Sequence, residues 1–123
     1  MRVLIADDDR LMCELLKEYV SVCGHEVIDV VTAGGLAAIQ SFAKHAPDVV
    51  LLDILMPRFN GFTVCQNLLS RNPAAKVVLM SGQVDASYPS IAQCGASAYL
   101  KKPFLLSDLR AVFDNLLETP AAA

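Results

Sequence analysis

Two apolar runs of this chain end in carboxylates. Val3-Leu4-Ile5-Ala6 runs into Asp7-Asp8-Asp9, and Val49-Val50-Leu51-Leu52 runs into Asp53. A third run, Val77-Val78-Leu79-Met80, ends at Ser81, and Ala98-Tyr99-Leu100 is followed by Lys101-Lys102. Carboxylates gathered in one place repel, and without a cation at least one should have a raised pKa. An all-oxygen acidic set favours a hard divalent cation. Mg²⁺ fits, because few protein ligands are offered and water fills the remaining octahedral positions. Asp8 and Asp53 are the expected direct ligands, with Asp7 acting directly or through water. A backbone carbonyl just after Asp53, that of Leu55, could add a third protein ligand. Beside Mg²⁺, a carboxylate oxygen of Asp53 can attack phosphorus and become an acyl phosphate. Phosphoryl transfer needs mostly positioning and charge neutralisation. One phosphoryl oxygen would face the metal, a second Lys102, and a third Ser81 with nearby backbone N–H groups. Taken alone, the aspartates read equally well as a solvated helix start, and a lone Lys or Ser as surface decoration. Their placement at the ends of separate apolar runs favours a site.

Those ends share one edge only if the runs are parallel strands. Residues 49–53 read as a central strand buried on both faces, which places Asp53 at the carboxyl edge where open α/β sheets bind ligands. After the first strand, Leu11, Met12, Leu15, Leu16, Tyr19, Val20 and Cys23 follow one helical face, with Gly24 at its end. Residues 27–31 form a β-branched strand, and a weaker helix through Leu36, Ile39 and Ala43 stops before Pro47. Met56-Pro57-Arg58-Phe59-Asn60-Gly61 reads as a turn-rich loop. Phe62, Cys65, Leu68 and Leu69 predict a third helix, closed by Asn72-Pro73. Residues 83–94 are the poorest helix candidate, and a short helix is predicted to start near Pro89. The last helix carries Leu109, Val112, Phe113 and Leu116, with Ser107 as its expected cap. Strand and helix alternate throughout, which predicts an α/β fold, a parallel sheet with helices on both faces.

The bulk composition agrees. Of 123 residues, 54% are hydrophobic and 19% charged, enough apolar material for one full core and too much for a disordered segment. The net charge is -3 with no Lys or Arg run, so direct nucleic-acid binding or an anionic-membrane surface is not expected. No apolar stretch reaches membrane length and no signal peptide opens the chain, so a cytoplasmic location is expected. Cys13, Cys23, Cys65 and Cys94 form no Cys-x-x-Cys pair, and neither His25 nor His45 lies at finger-like spacing from them. Free, mostly buried thiols are expected in preference to zinc or disulfides.

The Asp7-Asp8 pair, Leu51-Leu52-Asp53-Ile54-Leu55-Met56-Pro57, Asn60-Gly61, Met80-Ser81-Gly82 and Lys102-Pro103-Phe104 together resemble the receiver domain of two-component response regulators, of the chemotaxis-regulator type. The motifs occur in order over residues 2 to 118, and their combination makes the match specific. The resemblance implies a flavodoxin-like, doubly wound (βα)5 domain with a five-stranded parallel sheet of strand order 2-1-3-4-5. The receiver unit would span 1–118, with 119–123 a frayed tail or the start of a linker. Asp53 would accept phosphate from a phosphohistidine on a sensor histidine kinase or a histidine phosphotransfer protein. Ser81 and Tyr99 match the family's switch pair, which would act on a downstream protein target or a fused effector domain. A cis peptide at Lys102-Pro103 would aim the amine inward. Leu55 and Gln83 match positions flanking the path of attacking water, so they would tune the phosphoryl lifetime.

The segment between Ser81 and Lys102 departs most from the family pattern. A long loop precedes its helix, and Tyr88 and Ile91 are expected as an exposed partner-binding patch. Three functions compete. The leading one is a phosphoacceptor switch, not an enzyme, which catalyses only its own phosphorylation and dephosphorylation. The alternative is a phosphorylation-independent interaction module, although every site position is filled. A phosphatase with an aspartyl-phosphate intermediate would need a second acid two residues after the nucleophile, where Leu55 stands. Neither Gly-rich nucleotide-binding pattern is present.

Overall fold

The computed structural model describes residues 1–56, 59–84 and 88–118. Its elements in chain order are β1 (Arg2–Ala6), α1 (Arg10–Val22), β2 (Glu26–Val31), α2 (Gly35–His45), β3 (Val49–Asp53), β4 (Leu55–Met56), β5 (Phe59–Asn60), α3 (Gly61–Arg71), β6 (Lys76–Ser81), α4 (Pro89–Gln93), β7 (Ala98–Lys101) and α5 (Leu106–Glu118).

Five strands form one parallel sheet in the order β2-β1-β3-β6-β7. Counted within that sheet alone, this is the expected 2-1-3-4-5. Alternate residues of each strand point to opposite faces, and two cores result. Leu4, Val50, Leu52, Val77 and Leu79 meet α2, α3 and α4 through Phe42, Leu68 and Ile91. Val3, Ile5, Leu51, Val78 and Met80 meet α1 and α5 through Leu16, Leu109 and Phe113. Every residue of β3 is buried, as its unbroken apolar run requires. Each large side chain so buried contributes about 1.5–3 kcal/mol. Cys13, Cys65 and Cys94 are buried, Cys23 is half-buried, and all four are free thiols.

Several helix ends follow from local chemistry. Asp9 caps α1: its Oδ1 accepts from the N–H groups of Leu11 and Met12 at 3.0 and 3.3 Å. At the other end, Gly24 sits at φ +84°, and the N–H groups of Gly24 and His25 reach back to the carbonyls of Ser21 and Val20. Pro89 opens α4, where its missing N–H costs nothing.

Four expectations need correction or a limit. Residues 55–56 and 59–60 pair as a short antiparallel ribbon, where a loop was expected. Ser107 is not the cap of α5, because the helix starts at Leu106. There the Asp108 carboxylate reaches back 2.8 Å to the Leu105 N–H, so the acid three residues in closes the end. Ile91 is buried in the core beneath α4 and cannot join an exposed patch with Tyr88, which is 44% exposed. The expectations for Pro57-Arg58, for Asp85-Ala86-Ser87 and for the 119–123 tail lie outside the described residues.

Candidate functional site

Strand register assembles the site. Ala6 lies opposite Leu52, so the next residues, Asp7 and Asp53, emerge side by side at the carboxyl edge. Asp53 lies opposite Met80, and Ser81 opposite Lys101, which brings Ser81 and Lys102 to the same edge from the other side. The Lys102 N–H donates to the Ser81 carbonyl at 2.9 Å, and the Ile54 N–H to the Met80 carbonyl at 2.9 Å. The backbone after Asp53 is thereby pinned to β6, and the start of the Lys102 segment is pinned to the end of the same strand.

Gly61 lets α3 start directly behind this edge. A Cβ at Gly61 would lie 2.5 Å from the Ile54 Cα and 3.0 Å from the Asp53 carbonyl, so only glycine fits. Its N–H instead donates to the Ile54 carbonyl at 2.9 Å. Asn60 caps the same helix through a 2.7 Å bond from the Phe62 N–H to its Oδ1.

One carboxylate oxygen each from Asp7, Asp8 and Asp53 lies within 4.8 Å of the other two. Asp7 and Asp53 are buried, while Asp8 is exposed and opens the cluster to solvent. This is an all-oxygen, multiply charged set, and it fits a hard divalent ion that keeps part of its water. The Lys102 ammonium sits 2.6 Å from Asp7 Oδ2 and 3.5 Å from Asp53 Oδ2. The Lys102-Pro103 peptide is cis. Asp53 Oδ1 accepts from the Leu55 N–H at 3.1 Å, and Asp7 Oδ1 from the Asp9 N–H at 2.9 Å.

Burial pushes the Asp53 carboxyl up to about 6. The Leu55 N–H and the Lys102 charge pull against that rise, and the charge of Asp7 adds to it. Sequence reasoning expected a raised carboxylate through mutual repulsion, but desolvation is the larger cause. Lys102 shows the opposite balance. Burial alone would lower it, yet its hydrogen bond to Asp7 and the charges of Asp53 and Asp7 outweigh burial and hold it above the usual lysine range.

Ser81 is buried, and its Oγ accepts from the Gln83 N–H at 3.0 Å. The Tyr99 hydroxyl donates to the Ser81 carbonyl at 3.0 Å and makes a short bond to the Val84 carbonyl. Tyr99 is thus bonded to the backbone that follows β6. Leu55 is 49% exposed and lines a cleft together with Gln83. His25 and His45 lie away from this edge, the first 2.8 Å from the terminal amine and the second 3.7 Å from Asp29. Sequence reasoning missed the role of Asn60 as a cap and of Gly61 as a contact point. Both stood in plain view as an Asn-Gly pair before a helical pattern, which also reads as an ordinary turn.

A doubly wound sheet with acids, a hydroxyl and an amine at its carboxyl edge defines a flavodoxin-like α/β domain with an acidic site. Residues 3–114 match the response regulator receiver domain, and the chain belongs to that family. Receiver domains are the phosphoacceptors of two-component signalling. The response regulators MprA of Mycobacterium sp. (strain KMS) and Mycobacterium leprae (strain TN) are each 34% identical to it over 119 residues, 95% of this chain. The match covers 50% and 51% of those proteins, so the chain spans about half the length of the curated relatives it matches. The signal receiver domain of NarL from Mycobacterium tuberculosis superposes with a TM-score of 0.85 at 29% identity, over 96% of this chain and 97% of that one. CheY of Borrelia burgdorferi, in a complex with CheX, BeF3 and Mg²⁺, gives a TM-score of 0.90 at 24% identity over 97% and 90%, a likeness of fold. Among the described residues, no helix is long and apolar enough to cross a membrane.

Proposed function

We propose that Asp53 accepts a phosphoryl group from a phosphohistidine on a sensor histidine kinase or histidine phosphotransfer protein, and that the transfer depends on Mg²⁺. The observation that carries this is the convergence of Asp7, Asp8 and Lys102 on Asp53 at one strand edge. Asp8, Asp53 and the Leu55 carbonyl would hold the ion, with Asp7 binding it directly or through water. Bound there, the ion supplies charge neutralisation for the acids and the incoming phosphoryl oxygens.

The chain's own groups do the rest. Burial leaves the Asp53 carboxylate poorly solvated, so it is a ready nucleophile once deprotonated. Lys102 is within reach of Asp53 and can turn from Asp7 to a phosphoryl oxygen. The Ser81 hydroxyl accepts from the Gln83 N–H and can donate its own proton to another phosphoryl oxygen. Because Tyr99 is bonded to the carbonyls of Ser81 and Val84, movement of Ser81 would be felt at Tyr99. Phosphate would then favour one of two arrangements of that face and alter binding of a downstream target or fused effector. The unit that does this is residues 1–118. Its chemistry acts only on itself, through phosphorylation and hydrolysis at Asp53.

Beryllofluoride with Mg²⁺ tests the assignment. At ten to a hundred times its Kd, it should stabilise the protein by roughly 1.4–2.7 kcal/mol in thermal melts. Asp53→Asn should abolish most of that response. A full response in the variant would place the binding elsewhere, and no response in the wild type would favour an interaction module that works without phosphate.

A further inference from the structure

A cleft of about 280 Å³ opens beside the acid site, and Leu55 and Ser81 line it. Its remaining walls are of another kind. Phe62, from the first turn of α3, and Tyr88, just before α4, stack with ring centroids 5.7 Å apart and planes inclined by 18°. Val84 adds apolar surface and Gln83 an amide. The charged groups Asp7, Asp8 and Lys102 lie outside this lining.

In-line displacement puts the departing group on the side of phosphorus opposite the attacking oxygen. Asp53 is buried at the floor of the site, so the departing group must lie toward the opening. One flank of that opening carries the acids and the amine. The other runs through Leu55 and Ser81 into the aromatic-walled cleft. A neutral leaving group is poorly matched to the first flank and well matched to the second.

We infer that this cleft seats the leaving group of the phosphodonor, and that the Phe62–Tyr88 wall favours a flat imidazole ring over a small carboxylate. The inference rests on the phosphoacceptor function proposed above. In the transfer, an Asp53 oxygen bonds to phosphorus as the phosphorus–nitrogen bond breaks. The electron pair of the broken bond goes to the ring nitrogen. With the second ring nitrogen already protonated, the ring leaves as neutral imidazole and the phosphoryl group remains on Asp53.

The experiment compares N-phosphoimidazole with acetyl phosphate as donors, both with saturating Mg²⁺, by the rate at which the Asp53 acyl phosphate forms. Tyr88→Ala and Phe62→Leu are measured beside the wild type. The ratio of the phosphoimidazole rate to the acetyl phosphate rate should fall roughly three- to tenfold in each variant, as expected for loss of one aromatic contact. Beryllofluoride has no leaving group, so its effect on melting temperature should persist in both variants and shows that the acid site is intact. A rate ratio equal to that of the wild type in both variants, with the beryllofluoride response retained, overturns the proposal. Failure of the wild type to respond to beryllofluoride or to be phosphorylated by either donor overturns the phosphoacceptor function itself, and this inference with it.

Discussion

The Lys102 ammonium lies closer to Asp7, at 2.6 Å, than to Asp53, at 3.5 Å. Asp7 is fully buried, whereas the Lys102 side chain retains a path to solvent. The amine therefore compensates the buried acid and remains within reach of the acceptor. Removing it would leave a buried carboxylate without its cation. Lys102→Met should cost roughly 3 kcal/mol at neutral pH. Adding Asp7→Asn to that variant should recover part of the loss, because the orphaned charge goes with it. Urea unfolding of both variants measures this. A loss below about 0.5 kcal/mol in the single variant would mean the pair is as weak as an exposed one.

Asp53 shows the reverse coupling to stability. Its folded-state pKa is raised to about 6 from the ordinary aspartate value of 3.8, chiefly by burial. The folded state therefore binds a proton more tightly than the unfolded chain. Stability is unaffected below pH 4, falls as pH rises from 4 through 6, and stays depressed above. Asp53→Asn removes the charge, so without divalent ions it should stabilise the protein at pH 7.5 by roughly 2–3 kcal/mol. The gain should vanish near pH 4. Melting curves of both proteins across this range check the prediction, and a gain independent of pH would mean the ionised carboxylate is not its source.

Gly61 makes a steric prediction. A methyl group there would meet the Ile54 Cα at 2.5 Å, and backbone cannot rotate aside as a side chain can. Gly61→Ala should therefore destabilise by roughly 2 kcal/mol, at the overpacking scale, despite the better helix propensity of alanine. The displaced segment carries Asp53, so the beryllofluoride response should weaken as well. Denaturation and ligand-induced shifts in melting temperature test the two parts separately.

Much of this architecture was legible because the strands are unusually plain. Val49 to Leu52 and Val77 to Met80 are unbroken apolar runs buried on both sides, a pattern short helices rarely share. The acids and the serine stood at the ends of such runs, so register alone brought them together. What stayed hidden depended on tertiary contact. Ile91 sits on a five-residue helix, too short to show a face, and only packing against the sheet reveals it as core. The 55–60 ribbon joins two-residue strands, below the length at which alternation can be read. The preference of Lys102 for Asp7 over Asp53 is a matter of about one ångström, beyond any spacing argument.

Tyr99 gives a prediction about motion. Its hydroxyl is bonded to the carbonyls of Ser81 and Val84, and so joins β7 to the backbone after β6. Tyr99→Phe keeps the ring and removes those bonds, at a cost of about 1 kcal/mol. Amide exchange at Gln83 and Val84 should accelerate, while β3 should exchange as before apart from the global loss of stability. Unchanged exchange after β6 would show that the phenol does not restrain it.

Leu55 and Gln83 set the last expectation, the lifetime of the phosphorylated form. Both line the cleft beside Ser81, and the family resemblance puts these two positions beside the path of the attacking water. Leu55 is half-exposed and apolar, with its N–H already committed to Asp53, and offers water no side-chain partner. Gln83 has an amide, which orients water less strongly than a carboxylate would. Hydrolysis should therefore be slow, and the acyl phosphate on the purified protein should outlast seconds. Leu55→Asn with Gln83→Glu should shorten that lifetime, by roughly tenfold if the pair gains the 1.4 kcal/mol of one good charged hydrogen bond to the attacking water. Decay of the acyl phosphate after donor removal, followed by quenched mass spectrometry, measures both. Loss within seconds from the wild-type protein would mean that water enters by a route these two side chains do not guard.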